Sequence, residues 1–193
     1  MILVIDTSSA KSAIALLRPD GSVAGEQVGP SGPAFGLADG VRALREGRPL
    51  SRVAVATGPG SFTGLRVGVS FGLGLAMGLK VPIVPLPTLA IQAARGEEPV
   101  LAVSEAGRGR VYHQAPGREA GLAEPGELPK EWPAAGWLRP ATQEALIAAG
   151  VRIEDESRLR SFGAAAAIVL ETAGEVPYDS LRVEYMQSFA GKF

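Results

Sequence analysis

The first 95 residues predict an α/β fold: a mixed five-stranded sheet with flanking helices. Three observations carry the prediction. Three short apolar runs at the amino terminus are separated by turn residues, as in a meander. Two later apolar runs each follow a stretch of helical spacing, the pattern of parallel crossover units. Between those runs, a loop rich in glycine and proline opens directly into a helix that is apolar on every side. Such a helix must be buried on more than one side.

Each element has a local reason. Ile2-Leu3-Val4-Ile5 is β-branched and continuously apolar, which reads as a buried strand. Asp6-Thr7-Ser8-Ser9 is a polar turn, and Ser12 to Leu17 is the returning strand. Pro19-Asp20-Gly21 signals a turn, followed by a more exposed strand from Val23 to Val28. After Gly29-Pro30-Ser31-Gly32-Pro33, the apolar residues Leu37, Val41 and Leu44 recur at helical spacing. Pro33 suits a first helical position, and Gly47 and Pro49 end this helix of residues 34–46. Arg52 to Thr57 is a fourth strand. Val81 to Leu86 is a fifth, placed at an edge by Pro82 and Pro85. Thr88 is expected to cap a short helix reaching Arg95. The order β-β-β-α-β-α-β-α is that of the ribonuclease H-like fold, the repeated unit of the actin-like ATPase superfamily.

The helix of residues 63–79 is the most informative element. Ser61 or Thr63 can cap its start. Gly64, Gly68 and Gly72 repeat every four residues, and Gly74 and Gly78 follow. All five fall within an arc of roughly 160° at 100° per residue, with Val67, Phe71 and Leu75 along its middle. Each interior glycine costs about 1 kcal/mol relative to alanine. Close approach of another backbone is the compensating gain. That backbone belongs either to the chain's own sheet or to a second protein, and the second is the leading expectation. Gly36, Gly40 and Ala43 form a second small-residue stripe on residues 34–46. The expected subunit interface is therefore Gly36, Gly40, Gly64, Val67, Gly68, Phe71, Gly72 and Leu75. A membrane span is not expected, because Arg66 and Lys80 bracket too short a run.

A boundary is expected near Arg95-Gly96-Glu97-Glu98-Pro99, dividing residues 1–95 from a second, smaller and degenerate α/β domain in 96–193. Val100 to Ser104 and Arg110 to Gln114 read as a hairpin, and residues 116–133 as irregular, packed down by Trp132 and Trp137. Helices are expected from Ala141 to Ala149 and, capped by Ser161, through Thr172. The tail from Glu175 has little periodicity. The chain has 193 residues, 46% of them hydrophobic, a net charge of −1 and no cysteine. No global basic field draws nucleic acid, and thiolate chemistry, disulfides and cysteine-based zinc sites are excluded. The amino terminus begins with a strand pattern and lacks signal-peptide regions, so a cytoplasmic protein is expected.

Candidate chemistry is sparse. Asp6-Thr7-Ser8 follows a buried strand, and Gly58, Gly60 and Ser61 precede a helix amino terminus, a place suited to anions. Together they are a possible nucleotide or phosphate loop, although neither is a Walker or dinucleotide pattern. The alternative is that Asp6 serves only its own turn. His113 is the only histidine, so no two-histidine metal pair exists, and neither catalytic nor metal-ligating residues are assigned. Ser61 lacks the nucleophile-elbow pattern of hydrolases. Arg108, Arg110 and Tyr112 could contact RNA or simply form a charged hairpin edge.

Ile5-Asp6-Thr7-Ser8, followed by Gly58-Pro59-Gly60-Ser61-Phe62-Thr63-Gly64-Leu65-Arg66, resembles the TsaB (YeaZ) family, which has glycoprotease-like relatives. Val103 to Tyr112 weakly resembles that family's D-A-R-x-G-E-V-Y hairpin; Glu105, Gly107 and Arg110 depart from it. Val183-Glu184-Tyr185-Met186-Gln187 stands where the family has P-x-Y-L-R, and the H-S-x-x-L segment before the second helix is lacking. The resemblance implies an actin-like fold and a non-catalytic scaffold or activating subunit. Its complex forms N6-threonylcarbamoyladenosine at position 37 of tRNAs that read codons beginning with A. The implied partners are the catalytic paralogue TsaD, the ATPase TsaE, a second copy when alone, and tRNA through the complex. Pairing through amino-domain helices is implied, and any ATP or magnesium belongs to the assembled complex. The rival readings are an actin-like ATPase or kinase and, further off, a peptidase.

Overall fold

The computed structural model describes residues 1–184. Tyr185, Met186 and Gln187, which stand in place of a family pattern, lie outside that range. The first sheet has the order β3-β2-β1-β4-β5, built from β1 (Ile2–Asp6), β2 (Lys11–Leu17), β3 (Val23–Pro30), β4 (Arg52–Gly58) and β5 (Ile83–Pro87). β1 pairs antiparallel with β2 and parallel with β4, and β4 pairs parallel with β5. This is the sheet the crossover units require.

Side chains alternate across the central strands and so make two cores. Leu3, Ile5, Ile14, Val53 and Val55 face α1 (Leu37–Arg45) and α2 (Phe62–Leu79). Val4, Ala13, Ala54 and Leu86 face α3 (Thr88–Arg95) and α5 (Phe162–Leu170). Both faces of β1 and β4 are covered, which explains their unbroken apolar runs. β3 and β5 are the edge strands, and Ile83 of β5 bridges antiparallel to Val176.

Several local expectations change. The helix expected over 34–46 starts as a 3-10 turn, Pro33–Phe35, and α1 begins only after Gly36. Gly36 sits at φ 62°, the left-handed region glycine enters without a Cβ penalty. Thr88 does not cap α3; it is the first helical residue, and its hydroxyl donates to Ser8 Oγ at 3.2 Å. By contrast, Ser61 caps α2 by accepting from Gly64 N–H, and Ser161 caps α5 by accepting from Ala164 N–H.

The second sheet has the order β8-β7-β6-β9: β6 (Leu101–Gly107), β7 (Arg110–Gln114), β8 (Gly121–Ala123) and β9 (Ala134–Ala135). The stretch 116–133 is more ordered than expected, holding β8 and a 3-10 turn closed by a capping box between Glu124 and Glu127. Trp132 packs against that sheet's core, but Trp137 does not pack the loop down. It lies in the first sheet's core, 5.8 Å from the Phe162 ring. α4 (Pro140–Ala148) completes this half.

The division expected at residues 95 and 96 separates the strands of the two sheets but not the helices. α5 lies on β2 and β3 of the first sheet. Residues 175–184 also return to it, with Leu181 and Val183 in the α2-facing core. α2 is long and apolar enough to cross a membrane by length and composition alone. Here it is a core helix, burying Leu65, Gly68, Val69, Gly72 and Ala76 against the sheet.

Candidate functional site

The two loops singled out in the sequence meet at the carboxyl-terminal ends of β1 and β4. Ser61 N–H donates to Ser8 O at 2.7 Å. Thr7 Oγ1 donates to Gly64 O in the first turn of α2 at 2.7 Å. Gly60 lies so close to the Ser8 backbone that a Cβ would overlap it. Gly58 has φ 117° and lies 2.7 Å, measured from its ideal Cβ position, from Glu184 O. Asp6, Thr7, Ser8, Gly58, Gly60 and Ser61 are thus one constellation, held by backbone contacts.

A cleft of about 440 Å³ opens beside it. One wall is Ser8, Ser9, Ser31, Gly60, Ser61 and Phe62; the other comes from the second sheet and includes Glu105, Tyr112 and Arg139. Ser9, Ser31 and Arg139 are not legible as site residues in the sequence. Ser31 joins because its hydroxyl donates to Ser9 O at 2.7 Å across the β2–β3 edge. Arg139 joins through an ion pair with Glu105, whose carboxylate also accepts from Thr142 Oγ1 at 3.0 Å and from Arg139 N–H at 2.5 Å. Glu105 therefore caps the amino terminus of α4 and fixes the hairpin to it.

Asp6 is fully buried. Its Oδ1 accepts from Ser8 N–H at 2.8 Å and from Ser8 Oγ at 2.6 Å. Burial pushes its carboxyl pKa up, and the two Ser8 bonds only partly offset that. Oδ1 serves its own turn, while Oδ2 is buried with no hydrogen-bond partner among the described residues. Among the described residues no group of three or more histidine, aspartate or glutamate side chains could hold a metal ion. His113 follows Tyr112 on β7, so it points to the opposite face of that sheet from the cleft. Its pKa is lowered by burial, and its Nε2 lies against Gly121. No pairing with Ser61 is formed.

α2 corrects the expected interface. A Cβ at Gly64 would strike Thr7 O, at Gly68 Thr7 Oγ1, and at Gly72 Val55 Cγ1. These three glycines let α2 lie flush on its own sheet, so they are not open to a partner backbone. Gly40 likewise faces inward, 2.8 Å from Ile14 Cδ1 and 2.5 Å from Gln27 Oε1 when a Cβ is added, and Gly36 is a turn residue. Phe71 and Leu75 are half-buried on the flank in the α2-facing core. Only Val67 of the expected set is well exposed, at 51%; Met77 joins it at 53%. Gly74 and Gly78 face open space between and beside them.

A family described as "TsaD: tRNA N6-adenosine threonylcarbamoyltransferase" matches residues 45–122. The tRNA threonylcarbamoyladenosine biosynthesis protein TsaB of Bacillus subtilis is 36% identical over 121 residues, 58% of this chain and 52% of the relative. The protein of the same name from Escherichia coli is 38% identical over 68 residues, 33% of this chain and 29% of the relative. The chain therefore aligns with about half the length of the first relative and less of the second. Among solved structures, YeaZ from Pseudomonas aeruginosa superposes with a TM-score of 0.71 at 20% identity, covering 96% of this chain and 99% of that one. A protein described as similar to peptidase YeaZ gives 0.73 at 22% identity over the same shares. At these identities the two structures establish the fold alone, and that fold is the actin-like, ribonuclease H-like one.

Proposed function

We propose, from its likeness to the TsaB proteins and to the TsaD-described family over residues 45–122, that the chain is a non-catalytic scaffold or activating subunit in the synthesis of N6-threonylcarbamoyladenosine at position 37 of tRNA. Its catalytic partner is a TsaD-like paralogue, with a TsaE-like ATPase joining them. tRNA is contacted through the complex, in the cytoplasm, and the lone chain forms a homodimer. One observation carries the pairing role: Phe62, Val67, Met77 and Leu79 place four of the large exposed apolar side chains on a single helix, α2. The span that matches the catalytic family contains only one histidine, His113, turned away from the cleft. That supports an accessory role beside a metal-bearing paralogue.

The test is reconstitution. Size-exclusion chromatography with the paralogue should give a heterodimer that Val67→Arg and Met77→Glu each disrupt. tRNA modification in the reconstituted system should fall in parallel. Unchanged pairing in both variants, or threonylcarbamoyl transfer by the lone chain, would overturn the proposal.

The cleft favours a second reading, an actin-like nucleotide-binding ATPase or kinase, since it opens beside the amino terminus of α2. Full burial of Asp6, with Oδ1 engaged by Ser8, weighs against it. Calorimetry with Mg-ATP on the isolated chain separates the two: tight binding supports the enzyme, and none supports the scaffold.

A further inference from the structure

Three nitrogen groups converge on one oxygen, Oε1 of Glu156. The Arg95 guanidinium pairs with it through Nη2, Trp137 Nε1 donates to it at 3.3 Å, and Lys11 Nζ lies 3.9 Å away. Arg95 ends α3, Lys11 opens β2 and Trp137 precedes α4, so the fold brings them together from distant parts of the chain. With Glu156 they line a cavity of about 530 Å³ that also reaches the first turn of α5.

The two sides of this contact are unlike. The Arg95 side chain is 3% exposed, lies over the Trp137 ring at 4.8 Å, and donates through Nη1 to Gln92 Oε1 at 3.3 Å. Gln92 is buried as well, and its Nε2 has no partner among the described residues. The Glu156 side chain, by contrast, is 56% exposed.

Glu156 is also not what holds its own segment. The 3-10 turn Glu156–Arg158 is capped by Asp155, whose Oδ1 accepts from Ser157 N–H at 2.9 Å. Arg160 ties the segment to α3: its N–H donates to Arg95 O at 2.7 Å, and its Nη1 donates to Ala94 O at 3.1 Å and to Gly96 O. The carboxylate can swing into water with its turn left in place. A buried guanidinium without an anion is costly, so the cage needs an anion but not this particular one. With Glu156 turned out, Lys11, Arg95 and Arg160 face a single carboxylate, Glu26, which already accepts from Gly163 N–H at 2.8 Å. That balance suits a doubly charged oxyanion.

We propose that this cavity is a phosphate-binding site, with Glu156 as a built-in occupant that a phosphate group displaces. Arg95 and Lys11 neutralise the phosphate, and the Trp137 indole N–H donates to one of its oxygens. The site shares no lining residue with the cleft beside Ser61 and does not depend on the pairing role.

The test follows the melting temperature of the full chain as inorganic phosphate replaces chloride at fixed ionic strength. Glu156→Ala should melt lower than the unmodified chain in chloride and recover in phosphate. Its midpoint should fall at about a tenth of the phosphate concentration that the unmodified chain needs, as expected if Glu156 vacates the cage about a tenth of the time. Adding Lys11→Ala should raise that midpoint several-fold; Lys11 is 45% exposed, so the fold tolerates its loss. Equal midpoints with and without Glu156, or a response that Lys11→Ala leaves unchanged, would overturn the site, because general exclusion of phosphate from protein surfaces acts on all of these chains alike. Glu156→Gln, which keeps the shape and removes the charge, carries the same comparison should Glu156→Ala fail to fold. Ribose 5-phosphate separates the sources: a midpoint equal to or below that of inorganic phosphate makes the ligand a small phosphate ester, and no response makes it the free ion.

Discussion

The two faces of α2 use glycine for opposite ends. Toward the sheet, Gly64, Gly68 and Gly72 each occupy a position where a methyl group would overlap Thr7 or Val55. Away from it, a methyl group at Gly74 or Gly78 would meet nothing within 4 Å. Each glycine costs the helix about 1 kcal/mol in propensity. The inner three recover it by bringing the helix down onto β1 and β4. The outer two meet no such close neighbour among the described residues. The lesson is that a small-residue stripe locates a close approach but does not say to what.

The sharpest way to break this comparison is to enlarge the inner face. Gly68→Leu or Gly72→Leu should destabilise the fold by about 3 kcal/mol or more, read by urea denaturation, because the side chain must push α2 off the sheet. Near-native stability in either would mean that the helix sits elsewhere. Next, Val67→Arg should leave stability within about 0.5 kcal/mol while weakening pairing with the paralogue by an order of magnitude or more, measured by calorimetry. Equal losses of stability and pairing would erase the distinction between the faces.

A smaller effect comes from Asp6, under the amino-terminal end of the same helix. Its pKa is raised above the 3.8 of a free carboxyl by burial, so the folded state holds its proton more tightly than the unfolded chain does. Its contribution is full below the unfolded value and is lost as pH rises from about 3.8 through the folded value. Asp6→Asn should therefore flatten the decline in melting temperature as pH rises through that window. A slope that survives the substitution would assign it to other groups. The smallest expected change is the most diagnostic: Gly74→Ala should stabilise the lone chain by up to about 1 kcal/mol, opposite in sign to its inner counterparts.

How much of this is legible in the sequence follows from the range of each signal. The buried strand Ile2–Asp6 and the Ser61 and Ser161 caps depend on neighbours a few residues away, and local pattern is enough to find them. The arc of glycines is visible too. Its orientation is not, since Gly68 and Gly72 lie at one edge of that arc and Gly74 and Gly78 at the other, and sequence alone does not say which edge meets the sheet. Thr88 has the residue type of a cap, but its bond to Ser8 depends on a partner 80 residues away. The far wall of the cleft, Tyr112 and Arg139, arrives from the second sheet and leaves no mark near residues 6–8 or 58–61. Trp137 escapes local reading for the same reason: its neighbour Phe162 comes from α5, which returns to the first sheet.

The link between Glu105 and Arg139 has a consequence for what the cleft would admit. These two opposite charges face each other at its rim, and its remaining lining is serine, glycine, alanine, phenylalanine and tyrosine. With its charges cancelled in place, the opening exerts little long-range pull on an ionic guest. Encounter there would be governed by shape and hydroxyl geometry, and its rate would be nearly indifferent to added salt.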